Sequence, residues 1–504
     1  MLNDFQALTA TLKGDSPVPT RPWESVSEGM HHQTISPLVI IILAAGKGTR
    51  MNTSLPKVLH TLMGRPLLDH VLDTAFSLDP GKVIIIAGYA ADSVRSSVGN
   101  RSGDLEIVIQ EPQLGTGHAV AQCLDILSGF NGTIVVLSGD VPGLKPDTLR
   151  QLIQARMEKG ASLSVLTGNL EDPTGYGRIV RSPEGDILEI REHKDLSKGQ
   201  ESITEVNLGV YAFDSAFLVR ELPGIGSDNA QGEYYLTDLV EVAAGSDSGV
   251  VSHTAANHKE ALGINTLGEL GKMEMAMNRK HMEKLMGSGV RILDPDRTWI
   301  DDTVTVEPDT VIHPSVFLYG QTIIGARSVI WPGAVITDSI IGQDSVIKPY
   351  CVINESVIGD KAEIGPFSHF RPGNKIESAV KIGNFVEIKK SIVGQGSKVS
   401  HLTYIGDSEL GEKVNIGAGC VTANYDGFKK SKTIIQDGVF VGCGTMMVAP
   451  ITLGKGSLVA AGSTLTKDVP PDSLAIARSQ QTSKEGWAAA RREKLTGQDK
   501  KGKS

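Results

Sequence analysis

From Asp301 to Asp468 an aliphatic residue returns at nearly every sixth position. Read in sixes, the chain gives "GARSVI", "WPGAVI", "GQDSVI", "KPYCVI", "GDKAEI", "GPFSHF", "RPGNKI", "ESAVKI" and "GNFVEI", and later "GEKVNI", "GAGCVT", "GKGSLV" and "AAGSTL". A sustained hexapeptide period predicts a left-handed parallel β-helix. Three short flat strands make one triangular coil, and one aliphatic side chain per hexad stacks inside the prism. A glycine often follows the aliphatic residue. It is expected at a corner, where either a positive φ or a close backbone approach requires it. The repeat accounts for the 56 glycines and for an aromatic share of only 5%, because so narrow an interior suits few rings. It is broken at residues 424–432, "NYDGFKKSK", an insertion of the kind that lies on a functional face.

Before residue 290 the pattern is different. "PLVIIILAAG", "KVIIIAG", "LEIVIQ", "GTIVVLSGD" and "ASLSVLTG" are nearly continuous apolar runs, as in parallel strands covered by helices on both faces. Helical stretches fall between them, around Leu67–Phe76 and Gly117–Leu127. This is an α/β, doubly wound, Rossmann-like pattern. Thr266 with Glu269 forms a capping box, and Gly287 and Gly289 close a linker helix over 266–289 with an apolar stripe of Leu270, Met273, Met277 and Leu285. The expected order is a mobile extension (1–37), the α/β domain (38–265), the linker helix (266–289), the β-helix (290–490) and a basic, mobile tail (491–504).

A net charge of −9 argues against a broad nucleic-acid-binding face. Cys123, Cys351, Cys420 and Cys443 are widely spaced without a metal-ligand pattern, which fits a reduced cytoplasm. The apolar run Leu38 to Ala45 is too short to span a membrane. Residues 1–37 lack the apolar stretch of a secretory signal.

The stretch "LAAGKGTRMNTSLPKVLH" (43–60) follows a buried strand. Leu43, Ala44, Ala45 and Gly46 are small enough to let a ligand reach the backbone, whose N–H groups bind anions in such a turn. Lys47, Arg50 and Lys57 add positive charge where a triphosphate would lie. The stretch is neither a Walker A loop nor a GxGxxG fingerprint.

Further motifs follow in order: "QLGTGHA" (113–119), "LSGDVP" (137–142), "TGYGRI" (174–179), "REHKD" (191–195), "NLGVY" (207–211), "NAQGEYYLTD" (229–238) and "GIN" (263–265). The set resembles the sugar-nucleotide nucleotidyltransferases. Together with the hexapeptide region, over residues 38–490, it resembles the bifunctional N-acetylglucosamine-1-phosphate uridyltransferase/glucosamine-1-phosphate acetyltransferases. The resemblance implies that glucosamine 1-phosphate is acetylated from acetyl-CoA on the β-helix. The N-acetylglucosamine 1-phosphate formed is then joined to UTP in the α/β domain, releasing pyrophosphate and feeding peptidoglycan, lipopolysaccharide and lipid A precursors. It also implies Mg²⁺, a cytoplasmic homotrimer, and no nucleic-acid or membrane partner.

By resemblance, Leu43–Gly46 with Arg50 and Lys57 hold the UTP phosphates, and Gln110, Gly115 and Thr116 read uracil. Ser138, Gly139 and Asp140 border the nucleotide, Gly177, Glu192 and Asn207 bind the sugar, and Asp140 with Asn265 ligates the metal. The family often carries an aromatic residue where this chain has Ser138. In the β-helix, Arg371, Lys389, Tyr404 and Asn415 match the acetyl-acceptor site. Ala418, Asn424, Tyr425, Cys443, Ala461 and Arg478 match acetyl-CoA contacts, with Cys443 in place of a common serine. Amine acetylation needs a base. His401 is the proton acceptor by resemblance, with Glu387 expected to orient it. Cys443 is read as a small packing residue and not as a nucleophile. Two rival readings stand beside this one: a nucleotidyltransferase whose β-helix only assembles it, and a non-catalytic subunit on the same plan.

Overall fold

The computed structural model describes residues 37–99 and 103–501. The expected extension at 1–36 lies outside them. The chain divides into two compact units. Of the described residues, one comprises 37–47 together with 70–99 and 103–263, and the other 48–69 together with 264–501. Residues 48–69, expected with the α/β domain, thus pack with the β-helix unit.

The first unit is built on a nine-stranded sheet. Leu38–Ala44 lies between Thr133–Ser138 and Lys82–Ala87 and is parallel to both, with Leu105–Ile109 parallel on the outside. Ile40, Ile41 and Ile42 are fully buried, as their unbroken apolar run requires. After Leu38–Ala44 the chain builds one side of the sheet and then crosses to Thr133–Ser138 on the other. Open α/β sheets bind ligands outside the strand C-termini at such a reversal. Two expectations change. Leu163–Asn169 does not join the parallel set, because Glu205–Asp214 intervenes, antiparallel to both neighbours. Leu105–Ile109 is an edge strand, only half-buried, with Ile109 exposed. Leu67–Phe76 is helical as expected, whereas 117–127 is divided into Thr116–Ala121 and Leu124–Leu127.

In the second unit, strands of two or three residues stack in parallel into sheets of eleven, ten and nine strands, the three faces of a left-handed β-helix. One interior column runs Ile300, Leu318, Ile336, Ile353, Phe370, Ile388 and Ile405, each in register with the next. The helix Leu267–Gly287 starts at a Thr266–Glu269 capping box. Its Met282 and Leu285 join the β-helix core and cover the open first coil. Asn278 fastens it there: its amide donates to the Thr298 carbonyl at 2.9 Å, and its oxygen accepts from the Ile300 N–H at 3.3 Å. At the other end, where a mobile tail is expected, Trp487–Lys501 is a helix.

The corner glycines are explained by close approach. Gly325 and Gly342 directly follow an aliphatic residue, and neither has a positive φ. A Cβ on either would sit 2.6 Å from the backbone nitrogen of Gln343 or Asp360 in the next coil. The left-handed residue comes two positions later, at Arg327 (φ 59°), Asp344 (57°) and Lys361 (55°). Gly342→Ala should therefore destabilise the protein by about 1–3 kcal/mol through overpacking. Gly271 lies inside the linker helix with open space around a would-be Cβ. Gly271→Ala should stabilise by about 0.5–1 kcal/mol. Urea denaturation of the two variants checks the opposite signs.

Candidate active sites

In the first unit the loop after Leu38–Ala44 lies beside the loop after Thr133–Ser138. Leu43 is in register with Ser138, and its carbonyl accepts from the Gly139 N–H at 2.9 Å. Leu43, Ala44, Ala45 and Gly46 therefore border Ser138, Gly139 and Asp140. A Cβ on Gly46 would meet nothing within 4 Å, so the turn is open to a ligand. The Lys47 ammonium lies 5.4 Å from the centre of the Tyr89 ring. A Cβ on Gly263 would come 3.3 Å from the Asp140 carboxylate, so glycine there keeps space beside it.

Gln110 is buried, and its amide nitrogen donates to the Gly115 carbonyl at 3.0 Å. Gly115 has φ 110°, and a Cβ there would be 2.6 Å from the Tyr234 carbonyl. The Thr116 hydroxyl accepts from the Leu236 N–H at 3.0 Å. These three residues form one turn fixed against residues 234–236.

Gly177, Glu192 and Asn207 also come together. The Asn207 N–H donates to the Gly177 carbonyl at 2.9 Å, and a Cβ on Gly177 would lie 3.5 Å from a Glu192 oxygen. Asn207 donates to the Tyr211 hydroxyl at 2.6 Å, and Glu192 accepts from the Thr237 hydroxyl at 3.1 Å. Tyr211 and Thr237 were not singled out in the sequence, although both lie inside motifs quoted from it, "NLGVY" and "NAQGEYYLTD". Burial pushes the Glu192 carboxyl above its ordinary range, against the Thr237 bond, which favours the ionised form.

In the second unit Arg50 and Lys57 converge on one atom: each donates to Asn265 Oδ1 at 2.7 Å. Gly48, at φ 64°, makes room for Lys57, since a Cβ there would lie 2.5 Å from the lysine Cβ. The helix cap is Thr266, and the Asn265 N–H donates to Glu269 at 2.6 Å. This leaves the Asn265 side chain to face the two cations.

On the β-helix, one corner reads Pro314, Pro332, Pro349 and Pro366 in successive coils, then Asn384, His401, Ala418, Cys443 and Ala461. Backbone bonds confirm the stacking: the N–H groups of Leu402, Gly419, Gly444 and Gly462 donate to the carbonyls of Asn384, His401, Ala418 and Cys443. Arg478 lies beside Gly462. His401 therefore stands directly over Asn384, and Asn384 Oδ1 contacts His401 Nδ1. An amide oxygen only accepts, so Nδ1 is the donor in this contact and Nε2 lies on the far edge of the ring. This corrects the expectation for Glu387. That residue lies on the flat face below Tyr404, in register with it, and its carboxylate contacts Arg371 at 3.3 Å. The orienting contact falls to Asn384 because a coil returns after seventeen residues. The break in the proline column was the available signal.

Lys389 lies on the same face as Glu387 and Tyr404. Its ammonium is held below its ordinary value by Lys430, by partial desolvation and by Arg371. Asn415 lies on the adjoining face, in the strand Asn415–Ile416. Asn424 is buried and donates to Asp407, and the exposed Tyr425 closes its loop onto the Gly427 carbonyl at 2.6 Å. Gly406 lies under both groups, since a Cβ there would be 2.4 Å from the Tyr404 hydroxyl and 2.8 Å from the Asn424 amide. Cys443 is exposed, and the other three cysteines are buried.

Asp238, next to Thr237, has its carboxyl pushed up to about 6, chiefly by burial and then by Glu241 and Asp195, with Arg191 opposing. The unfolded chain holds this group near about 3.9. A raised folded value means that ionisation opposes folding; the penalty is absent below about pH 4 and complete above about pH 6. Asp238→Asn should therefore raise Tm at about pH 7.5, and thermal melts should show the gain vanish by about pH 4.

Comparisons with known proteins bear on the family. Residues 40–203 match the MobA-like NTP transferase domain, and residues 297–373 match the GMPPB C-terminal domain. The chain is 46% identical over 453 residues to the "Bifunctional protein GlmU" of Trichlorobacter lovleyi, spanning 90% of this chain and 98% of that one. It is 47% identical over 473 residues to that of Geobacter metallireducens, spanning 90% and 99%. It is 45% identical over 447 residues to that of Halalkalibacterium halodurans, spanning 89% and 97%. The chain belongs to the family of bifunctional GlmU proteins.

Proposed function

We propose that this protein makes UDP-N-acetylglucosamine in two steps. It acetylates glucosamine 1-phosphate with acetyl-CoA on the β-helix, then transfers UMP from UTP to the N-acetylglucosamine 1-phosphate formed. The observation that carries the reading is the His401 imidazole, with Nδ1 facing an amide oxygen, at an edge otherwise lined by small residues beside a cationic face.

In the first step the sugar amine attacks the thioester carbonyl. His401 Nε2 takes the amine proton as the C–N bond forms, the C–S bond breaks, and the proton is returned to the leaving sulfur so that CoA departs as the thiol. Arg371 and Lys389 hold the sugar phosphate, with Tyr404 and Asn415 on its hydroxyls. Ala418, Cys443 and Ala461 leave a shallow edge for the pantetheine arm, and Asn424, Tyr425 and Arg478 hold the rest of acetyl-CoA.

In the second step an oxygen of the sugar phosphate attacks the UTP α-phosphorus, and the bond to pyrophosphate breaks. Arg50, Lys57 and the N–H groups of the 43–46 turn stabilise the triphosphate. Gln110, Gly115 and Thr116 hold uracil, Ser138 and Gly139 border the nucleotide, and Gly177, Glu192 and Asn207 orient the sugar. The candidate metal ligands, Asp140 and Asn265, are hard oxygen donors. The space that Gly263 leaves beside the Asp140 carboxylate suits a Mg²⁺ that keeps several waters. When bound, Mg²⁺ would neutralise phosphate charge.

No helix among the described residues is long and apolar enough to cross a membrane. The family resemblance supports a cytoplasmic homotrimer.

Glucosamine 1-phosphate, acetyl-CoA, UTP and Mg²⁺ supplied together should release both CoA thiol and pyrophosphate. His401→Ala should lower CoA release by roughly 10²–10⁴-fold. Pyrophosphate release from supplied N-acetylglucosamine 1-phosphate should stay near the parent rate, and loss of both activities would sink the two-site reading. Asn384→Asp places a carboxylate beside the imidazole and favours its charged form. The acidic limb of the acetyl-transfer pH profile should therefore move to higher pH.

A further inference from the structure

Residues 61–66 form a tight hairpin directly after the segment that carries Arg50 and Lys57. Thr61 pairs with Pro66 and Leu62 with Arg65, and both central residues are left-handed, Met63 at φ 51° and Gly64 at φ 80°. The tip is gripped from two sides. On one, a Met63 backbone hydrogen bond reaches Glu274 of the linker helix. On the other lies Asp301 of the first β-helix coil, buried and fixed by the Gly320 N–H at 3.0 Å and the Trp299 indole N–H at 3.2 Å. A Cβ on Gly64 would fall 2.2 Å from its carboxylate. Arg65 adds an ion pair with Asp302 at 3.5 Å.

The hairpin is continuous with the cation-bearing segment. Met51, Leu62, Met63 and Leu67 are buried in one apolar cluster with Ile264 and Leu270, and Met273, Met277 and Trp299 pack against it. Met51 is the neighbour of Arg50, and Ile264 is the neighbour of Asn265. The Leu67 N–H donates to the His60 carbonyl at 2.9 Å, and the His60 ring bonds the Thr53 hydroxyl at 2.9 Å. Holding an arginine and a lysine on one neutral oxygen opposes their mutual repulsion and their side-chain entropy. A rigid backbone helps keep such cations in place for an incoming anion.

We propose that Glu274 and Asp301, acting through the hairpin, are positioning residues for Arg50 and Lys57, so that the base of the β-helix serves uridylyl transfer. The inference rests on the assignment of those two cations to the UTP phosphates. Neither carboxylate is given a contact with substrate.

The test uses the full-length protein. UTP affinity is measured calorimetrically, kcat and KM for UTP by pyrophosphate release, and CoA release serves as the internal reference. Glu274→Ala and Gly64→Ala should each weaken UTP binding and raise its KM by roughly tenfold, a displacement-sized effect. The loss should lie in KM more than in kcat. Glu274→Gln keeps an acceptor oxygen and should recover most of the affinity, with CoA release unchanged in all three variants. UTP affinity within about twofold of the parent, roughly 0.4 kcal/mol, in both Glu274→Ala and Gly64→Ala overturns the proposal. Arg50→Ala and Lys57→Ala separate the two failures. If they lose UTP affinity while the hairpin variants keep it, the positioning role alone is overturned. If they keep it, the assignment of the cations falls and the proposal with it.

Discussion

The second unit depends on one constraint: successive coils are hydrogen-bonded backbone to backbone, so each residue sits over the one about a coil earlier. Interior columns must then be aliphatic, and any residue at the tightest contact between coils must lack a Cβ. A Cβ on Gly394 would lie 2.4 Å from the Gly411 carbonyl carbon, which no side chain tolerates. The same constraint builds the chemistry. A histidine placed at a corner meets whatever stands seventeen residues earlier, and here that is Asn384. Gly383 completes the arrangement, since a Cβ there would press to 3.0 Å from His401 Nδ1.

The nucleotide loop follows a different rule. Its first part ends a buried parallel strand, and its second part packs with the linker helix and the first coil. The cations sit next to buried residues, Met51 beside Arg50 and Val58 beside Lys57. Burial of these apolar neighbours fixes the backbone, and the charged groups are set by it. The long basic side chains are thus anchored at their roots.

The β-helix was legible in the sequence because period six is a direct image of the coil. The linker helix was legible because Thr266 and Glu269 meet a capping rule that depends on nothing distant. What was hidden depended on contacts remote in sequence. The antiparallel Glu205–Asp214 carries the same apolar character as a parallel strand, so its direction is set only by the connections around it. The membership of residues 48–69 follows from an apolar cluster whose partners lie two hundred residues on. Glu387 was expected to orient His401 by the logic of a base held by a carboxylate. Coil geometry puts Glu387 under Tyr404, on a flat face, and gives the corner to Asn384. Tyr211 and Thr237 lay inside quoted motifs, but only folding brings their hydroxyls to Asn207 and Glu192.

On the β-helix the cations of the candidate acetyl-acceptor face are gathered beside one another. Arg371 meets Glu387 at 3.3 Å while both remain well exposed, and such a pair contributes little. Lys389 faces Lys430 and Arg371, and its ammonium is held down mainly by the first of them. Like charges gathered this way oppose folding, so nothing in stability favours the arrangement. A phosphate ester relieves the repulsion when it binds, and its binding energy includes that relief. A tight internal ion pair would have to be broken first and would weaken the ligand by its own strength. Under the proposed function, the Arg371 and Lys389 face therefore favours a charged phosphate over a neutral sugar, and coil stacking holds the backbone that presents it.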